Sequence, residues 1–301
     1  LIWGGSAGVI FSFLVEMAIP ASEFVTMAIV APLAEELAKA SVFILVATGA
    51  RKLELTSLTD HIFYAGICAL GFAFVENLGY FALSSSAGEF VVMALVRTGF
   101  GVFGHPLYTT ATAVGIWAWR TKGGLWKAAV GYIAACLLHG LWNGGPTLLA
   151  GSLGLDDTGQ LAAMILVYIV LFVPVFIGTI IMTTRNRRNE YEAVRSQLPL
   201  MVEAGLVTPA EADMIADPRK RRAILADSGK YGRVAKRNQK RTITAATEAA
   251  LAQHRIAAGE GGPELVKRRD QLSEWLRSRP DKLGQLPLMP QFPPIQPPAT
   301  W

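Results

Sequence analysis

The chain has 301 residues, is 52% hydrophobic and only 17% charged, and carries a net charge of +5. With a mean hydropathy of +0.37, this balance argues against one soluble domain or a disordered chain, and suits a multispanning membrane protein with a soluble appendage. The charge is divided: residues 1–184 hold seven Lys and Arg against ten Asp and Glu, whereas residues 185–301 hold 21 against 13.

A hydrocarbon core needs about 20 apolar residues per helical span, and six such segments are expected. The first covers residues 2–19 and is close to the minimum length. The chain is apolar from Leu1, which leaves room for an upstream span, and nothing resembles a cleavable signal peptide. The second, residues 24–47, contains Pro32, Glu35, Glu36 and Lys39. A charge at mid-membrane costs several kcal/mol unless paired or hydrated, so such groups face a protein interior or a polar cavity and are functional by default. Glu35 and Lys39 lie four apart and share a helix face, whereas Glu36 lies about 100° further round with no local partner expected.

The third segment, residues 62–83, carries Glu76 and Asn77. The fourth, residues 90–119, carries Arg97 and a glycine-rich centre at 99–106 that ends in His105-Pro106. Proline removes a helical hydrogen bond, so irregular backbone lining a polar site is expected there. Arg97 is expected to snorkel or to balance an acidic group. The fifth segment, residues 125–149, has His139 and Asn143 four apart on one face, and the sixth covers residues 161–182. Cys68 and Cys136 both lie in apolar segments and give no disulfide framework.

Loop charge alternates. Arg51 and Lys52, then Arg120, Lys122 and Lys127, then Arg185, Arg187 and Arg188 fall on one side, while the opposite loops carry no Lys or Arg. The positive-inside rule makes the first side cytoplasmic. The fold expected is therefore all-α: a polytopic transmembrane bundle over 1–184, a basic cytoplasmic helical region over 185–286, and a Pro-rich extended tail over 287–301. In the basic region, Thr208-Pro209-Ala210-Glu211 reads as a helix start, and helices are expected near 245–255 and 264–279. Its Lys and Arg runs lack any nucleic-acid-binding motif, so anionic lipid is the expected partner.

Four segments thus contribute unusual polar groups within reach of one membrane layer. Histidine nitrogens and carboxylate oxygens are ordinary zinc ligands, a nearby carboxylate can take a proton from water, and an asparagine can donate to an oxyanion. The competing reading for each group is a structural one: a buried Glu–Lys pair, polar glue between helices, or a hydrogen-bonded core histidine. His61 and His254 are assigned no chemistry.

The pieces Glu35-Glu36-x-x-Lys39, Phe72-x-x-x-Glu76-Asn77, His105 and His139-x-x-x-Asn143 occur in that order over residues 35–143. In this the chain resembles the PrsW family of intramembrane metalloproteases, distantly similar to the CAAX prenyl protease and bacteriocin-immunity superfamily. The resemblance implies a multi-pass protein of a bacterial cell membrane that hydrolyses peptide bonds with zinc. It implies that Glu35 and Glu36 supply the water-activating carboxylate, that His105 and His139 form the metal centre, and that the substrate is a membrane protein or peptide such as an anti-sigma-factor-like regulator; Asn143 as oxyanion donor and Glu76 as a further metal ligand complete the expected site. Glu35 is favoured over Glu36 as the base. A histidine is frequent in the superfamily where Glu76 stands, which argues against a prenyl protease. A transporter or channel, or a non-catalytic scaffold, would use similar groups, but no inverted repeat relates segments 1–3 to 4–6.

Overall fold

A computed structural model describes residues 4–49, 55, 57–101, 104–260 and 262–279. Arg51, Lys52 and the Pro-rich tail lie outside the described residues. The chain divides into two compact units, Leu1–Asn186 and Arg187–Trp301. The described residues are helical with no strand among them.

The first unit contains α1 (Val9–Ala18), α2 (Glu23–Val25), α3 (Ala31–Thr48), α4 (Leu58–Ala82), α5 (Ala87–Leu95), α6 (Gly104–Lys122), α7 (Trp126–Leu153), α8 (Asp157–Val167) and the start of α9 (Val173–Glu203). Among the described residues three helical stretches are long and apolar enough to cross a membrane: Leu58–Ala82, Ala87–Lys122 and Gly159–Glu203. The apolar Gly5–Ala18 is shorter.

The expected fourth segment lies within the helical stretch Ala87–Lys122 and, as expected, is irregular near its glycine-rich centre. Helix α5 ends at Leu95, a π turn runs Val96–Phe100, and α6 restarts at Gly104. Gly104–Pro106, expected as irregular backbone, forms the first turn of α6 instead. Proline is harmless there, because the N–H it lacks has no intrahelical partner in a first turn.

A second π turn, Thr26–Val30, precedes α3 and positions the acidic pair. Its cause lies in Pro32. The Ala31 N–H bonds back five residues to the Thr26 carbonyl, bypassing the Met27 carbonyl. The next residue, Pro32, has no N–H to offer Met27 either. Asn143 Nδ2 on α7 fills that gap by donating to Met27 O at 3.0 Å. Two further groups on the same stripe of α7 bond to carbonyls in the first turn of α3: Tyr132 O–H donates to Leu33 O at 2.9 Å, and Cys136 Sγ lies 3.7 Å from Pro32 O. Glycine makes this approach feasible: a Cβ at Gly140 would stand 2.4 Å from Ala28 O, and one at Gly144 would stand 2.7 Å from Ala28 Cβ. Helix α7 is thereby pressed onto the start of α3 with His139 facing the glutamates.

The second unit holds the rest of α9, then α10 (Pro209–Ile215), α11 (Pro218–Ser228), α12 (Arg233–Ala257) and α13 (Pro263–Ser278). Helix α10 starts on the expected capping box: Thr208 Oγ1 accepts from Glu211 N at 3.2 Å, and Glu211 Oε2 accepts from Thr208 N at 2.9 Å. The unit has its own core, with Leu198, Met201, Met214, Ile215, Ile243, Ala246, Ala250 and Leu276 buried together.

Candidate metal centre

Helices α3, α4, α6 and α7 bring one polar cluster into the interior of the first unit. Glu36, Lys39 and His139 are buried to 1% exposure or less, and Glu35 and His105 are nearly so. Lys39 is its hub. Its ammonium donates to Glu36 Oε1 at 2.8 Å, to His105 Nδ1 at 2.8 Å and to Glu35 Oε2 at 3.4 Å. Its Nζ also stands 4.2 Å from the centroid of the Phe72 ring. The i,i+4 pairing of Glu35 with Lys39 is therefore the weaker one. Glu36, expected to have no local partner, holds the lysine through an i,i+3 contact.

Glu36 is also the most engaged carboxylate. Besides Lys39 it accepts from Thr109 Oγ1 at 2.9 Å and faces His139 Nδ1 at 3.2 Å. Glu76 plays the matching part for the other histidine, with Oε2 2.9 Å from His105 Nε2. Arg97, on the π turn of the fourth segment, donates to Glu76 Oε2 and Asn77 Oδ1, both at 2.5 Å, and lies over the Tyr80 ring at 3.8 Å. It balances an acidic group rather than snorkelling.

These partners fix the tautomers of both rings. An ammonium only donates, so His105 Nδ1 is an acceptor, its proton is on Nε2, and Glu76 receives it. His139 donates a hydrogen bond from Nδ1–H to the Glu36 carboxylate, which leaves the Nε2 lone pair facing Glu35. Each imidazole has a carboxylate behind it and an electron pair in front, the arrangement that orients metal-ligating histidines. Glu35 Oε2 stands 3.8 Å from His105 Nδ1 and 3.8 Å from His139 Nε2. Glu35, His105 and His139 each offer one ligand atom, and all three lie within 4.8 Å of one another. Tetrahedral zinc with bonds near 2.0–2.1 Å separates its ligand atoms by roughly 3.4 Å. The two imidazole nitrogens fit such an ion after a small contraction, with Glu35 beside it to face a bound water, provided Lys39 Nζ leaves His105 Nδ1 and keeps Glu36. Formal charge favours a cation too: among the described residues Glu35, Glu36 and Glu76 pair with Lys39 and Arg97, and Glu16 adds to the negative surplus when the histidines are neutral.

Of the residues picked from the sequence, the structure thus joins Glu35, not Glu76, to the two histidines, and puts Glu76 on the far nitrogen of His105. Asn143 is spent on the Met27 carbonyl. His61, assigned no chemistry, is buried with Nδ1 2.6 Å from Ser57 O and Nε2 3.2 Å from Arg120. Thr109 and Tyr108 were not picked. Thr109 follows His105 by four residues and so shares its helix face, which was the available signal.

Residues 1–179 match the model of the PrsW family intramembrane metalloproteases. No curated protein and no solved structure matches the chain. The matched residues are more than half of the chain and contain the whole cluster, and the chain belongs to this family.

Proposed function

We propose that this PrsW-family protein is a zinc-dependent endopeptidase of a bacterial cell membrane, with Glu35, His105 and His139 at its reaction centre. The observation that carries the reading is the convergence of two imidazole lone pairs and the least engaged carboxylate, each ring backed by a second carboxylate. A zinc ion held there would polarise a peptide carbonyl and acidify a water molecule. Glu35 keeps the longest contacts of the three glutamates, so it is free to take the proton of the attacking water and deliver it to the leaving amide nitrogen. Glu36 and Glu76 position His139 and His105, and a held metal would require Lys39 to give up His105 Nδ1 while keeping Glu36.

Six spans with both ends cytoplasmic extend this reading. The three long apolar stretches are joined by Gly5–Ala18, by the run from Glu23 to Thr48 and by α7, whose polar residues are those that build the centre. The alternation of basic and base-free loops supports the orientation. The substrate class is a single-span membrane protein, such as an anti-sigma-factor-like regulator. In the second unit a cavity of about 520 Å³ lined by Arg237, Lys240, Arg241, Arg268 and Trp275 offers the basic surface expected for anionic lipid headgroups.

The test is metal content and cleavage of a membrane-peptide library, measured side by side. Wild-type protein should hold about one zinc and cleave. Glu35→Gln should lower cleavage about 10³-fold and keep the zinc, whereas His139→Ala should release it. Near-normal cleavage by Glu35→Gln removes Glu35 as the base, and full zinc in His139→Ala removes the metal site.

A further inference from the structure

Four buried side-chain hydroxyls have no hydrogen-bond partner among the described residues: those of Ser84, Tyr108, Thr112 and Thr247. Tyr108 packs directly on the metal centre. Its ring stacks on His139 with centroids 4.8 Å apart and planes 24° from parallel, and its centroid lies 5.8 Å from that of His105. The residue is 1% exposed. Leaving a buried hydroxyl unpaired costs about 1–3 kcal/mol, and phenylalanine would fill the same space without that cost.

The backbone also makes room for the hydroxyl. A Cβ at Gly104 would stand 2.6 Å from the Tyr108 oxygen and 3.1 Å from Cζ. The phenol therefore lies along the first turn of α6, against the residue that precedes His105. The group expected to stabilise the oxyanion, Asn143, is committed to Met27 O. A donor with no partner and a reaction with no donor meet at the same histidines.

We infer that the Tyr108 hydroxyl is the oxyanion donor of peptide hydrolysis, an assignment that rests on the hydrolytic reading above. Water oxygen bonds to the scissile carbonyl carbon while the carbonyl π pair moves onto oxygen. The Tyr108 O–H donates a hydrogen bond to that oxygen without giving up its proton. When the carbonyl reforms, the C–N bond breaks and the nitrogen leaves with the proton carried by Glu35. Such a donor acts where charge develops, and its loss slows turnover about 10²–10³-fold.

The experiment compares the full-length wild type, Tyr108→Phe and Thr112→Val in proteoliposomes. It measures cleavage, zinc content, thermal stability and binding of a phosphinic pseudopeptide, whose anionic oxygens copy the tetrahedral adduct. Tyr108→Phe keeps the ring on His139. It should lower kcat about 10²-fold with KM little changed, weaken the phosphinate by a similar factor, and leave zinc unchanged and Tm equal or higher. Thr112→Val removes another unpaired hydroxyl of α6 and should leave kcat as it is. Equal kcat and phosphinate affinity in wild type and Tyr108→Phe overturn the assignment while leaving the protease reading intact, as does an equal loss in Thr112→Val. A wild-type protein that neither cleaves nor binds the phosphinate overturns both.

Discussion

Each unit buries an ionic cluster, and the two are built on opposite principles. In the second unit Arg279 meets Glu211 through both nitrogens, Nη1 to Oε1 at 2.7 Å and Nη2 to Oε2 at 2.5 Å, while Nη1 also reaches Thr242 Oγ1 at 3.2 Å and Nε reaches Leu276 O. One cation matches one anion, the fork geometry is complete, and the carboxylate also caps α10. In the membrane unit one ammonium is shared between two carboxylates and an imidazole, contacts stretch to 3.8 Å, and a phenol nearby has no partner among the described residues. The closed pair has nothing left to bind. The open cluster has an excess of acceptors, and that surplus is what a cation and a substrate can use.

The comparison is broken most forcefully by removing one partner from the closed pair. Arg279→Leu should cost the second unit about 3–5 kcal/mol by stranding Glu211, and the double replacement Glu211→Met with Arg279→Leu should recover most of it. Amide exchange of α12 and α13 in the full-length protein measures both, and cleavage should be unaffected throughout. The equivalent double replacement in the membrane cluster, Glu36→Leu with Lys39→Leu, should keep the fold but lose cleavage. If it keeps cleavage, the cluster is a structural pair like the other one.

A smaller effect separates scaffold from chemistry at Asn143. If its task is the orphaned Met27 carbonyl, Asn143→Ala should lower stability by about 1–2 kcal/mol, with zinc content intact and cleavage only mildly slowed. Should turnover instead drop about 10²-fold while stability holds, the oxyanion role returns to Asn143.

The smallest effect lies at the surface of the second unit. Asp217 caps α11, and the hydrogen bond from the backbone N–H of Arg219, at 2.7 Å, holds its carboxyl below the usual carboxylate range. A carboxyl with a lowered folded-state pKa stabilises above its unfolded value and loses that contribution as pH falls through the folded one. Asp217→Asn should therefore lower the stability of α11 slightly at neutral pH and remove part of its decline on acidification. Amide exchange followed from neutral pH down through the carboxylate range checks the sign.

The sequence was legible wherever the interaction is local or the residue type is costly in its setting. The Thr208–Glu211 capping box is a four-residue pattern, and carboxylates or histidines in apolar helices identify themselves by their cost. Which partner each would take was not legible, because it depends on helix rotation and on a π turn that shifts it. Lys39 sits closer to Glu36 than to Glu35 where His105, Thr109 and His139 arrive from α6 and α7, and Arg97 reached Glu76 across a loop. Tyr108 was invisible as a functional group, since a tyrosine among apolar residues reads as core. The core of the second unit was faint for a related reason. Much of the buried face of α12 is alanine, at 245, 246, 249, 250 and 252, which adds little to a hydrophobic pattern.

The turn at Thr26–Val30 holds one residue more than an α-helix needs over the same arc. Each residue advances a helix by about 100°. The turn absorbs that extra residue, so removing one position inside it would leave the azimuth of α3 nearly unchanged and press a regular helix against the Pro32 ring. Removing one position between Ala31 and Glu35, where the helix is regular, would instead turn Glu35 and Glu36 by about 100° relative to the start of α3, with every residue of the centre still present. The turn is in this sense a slack link: a one-residue deletion after it should be as disabling as the loss of the glutamate itself, whereas one inside it should be the better tolerated of the two.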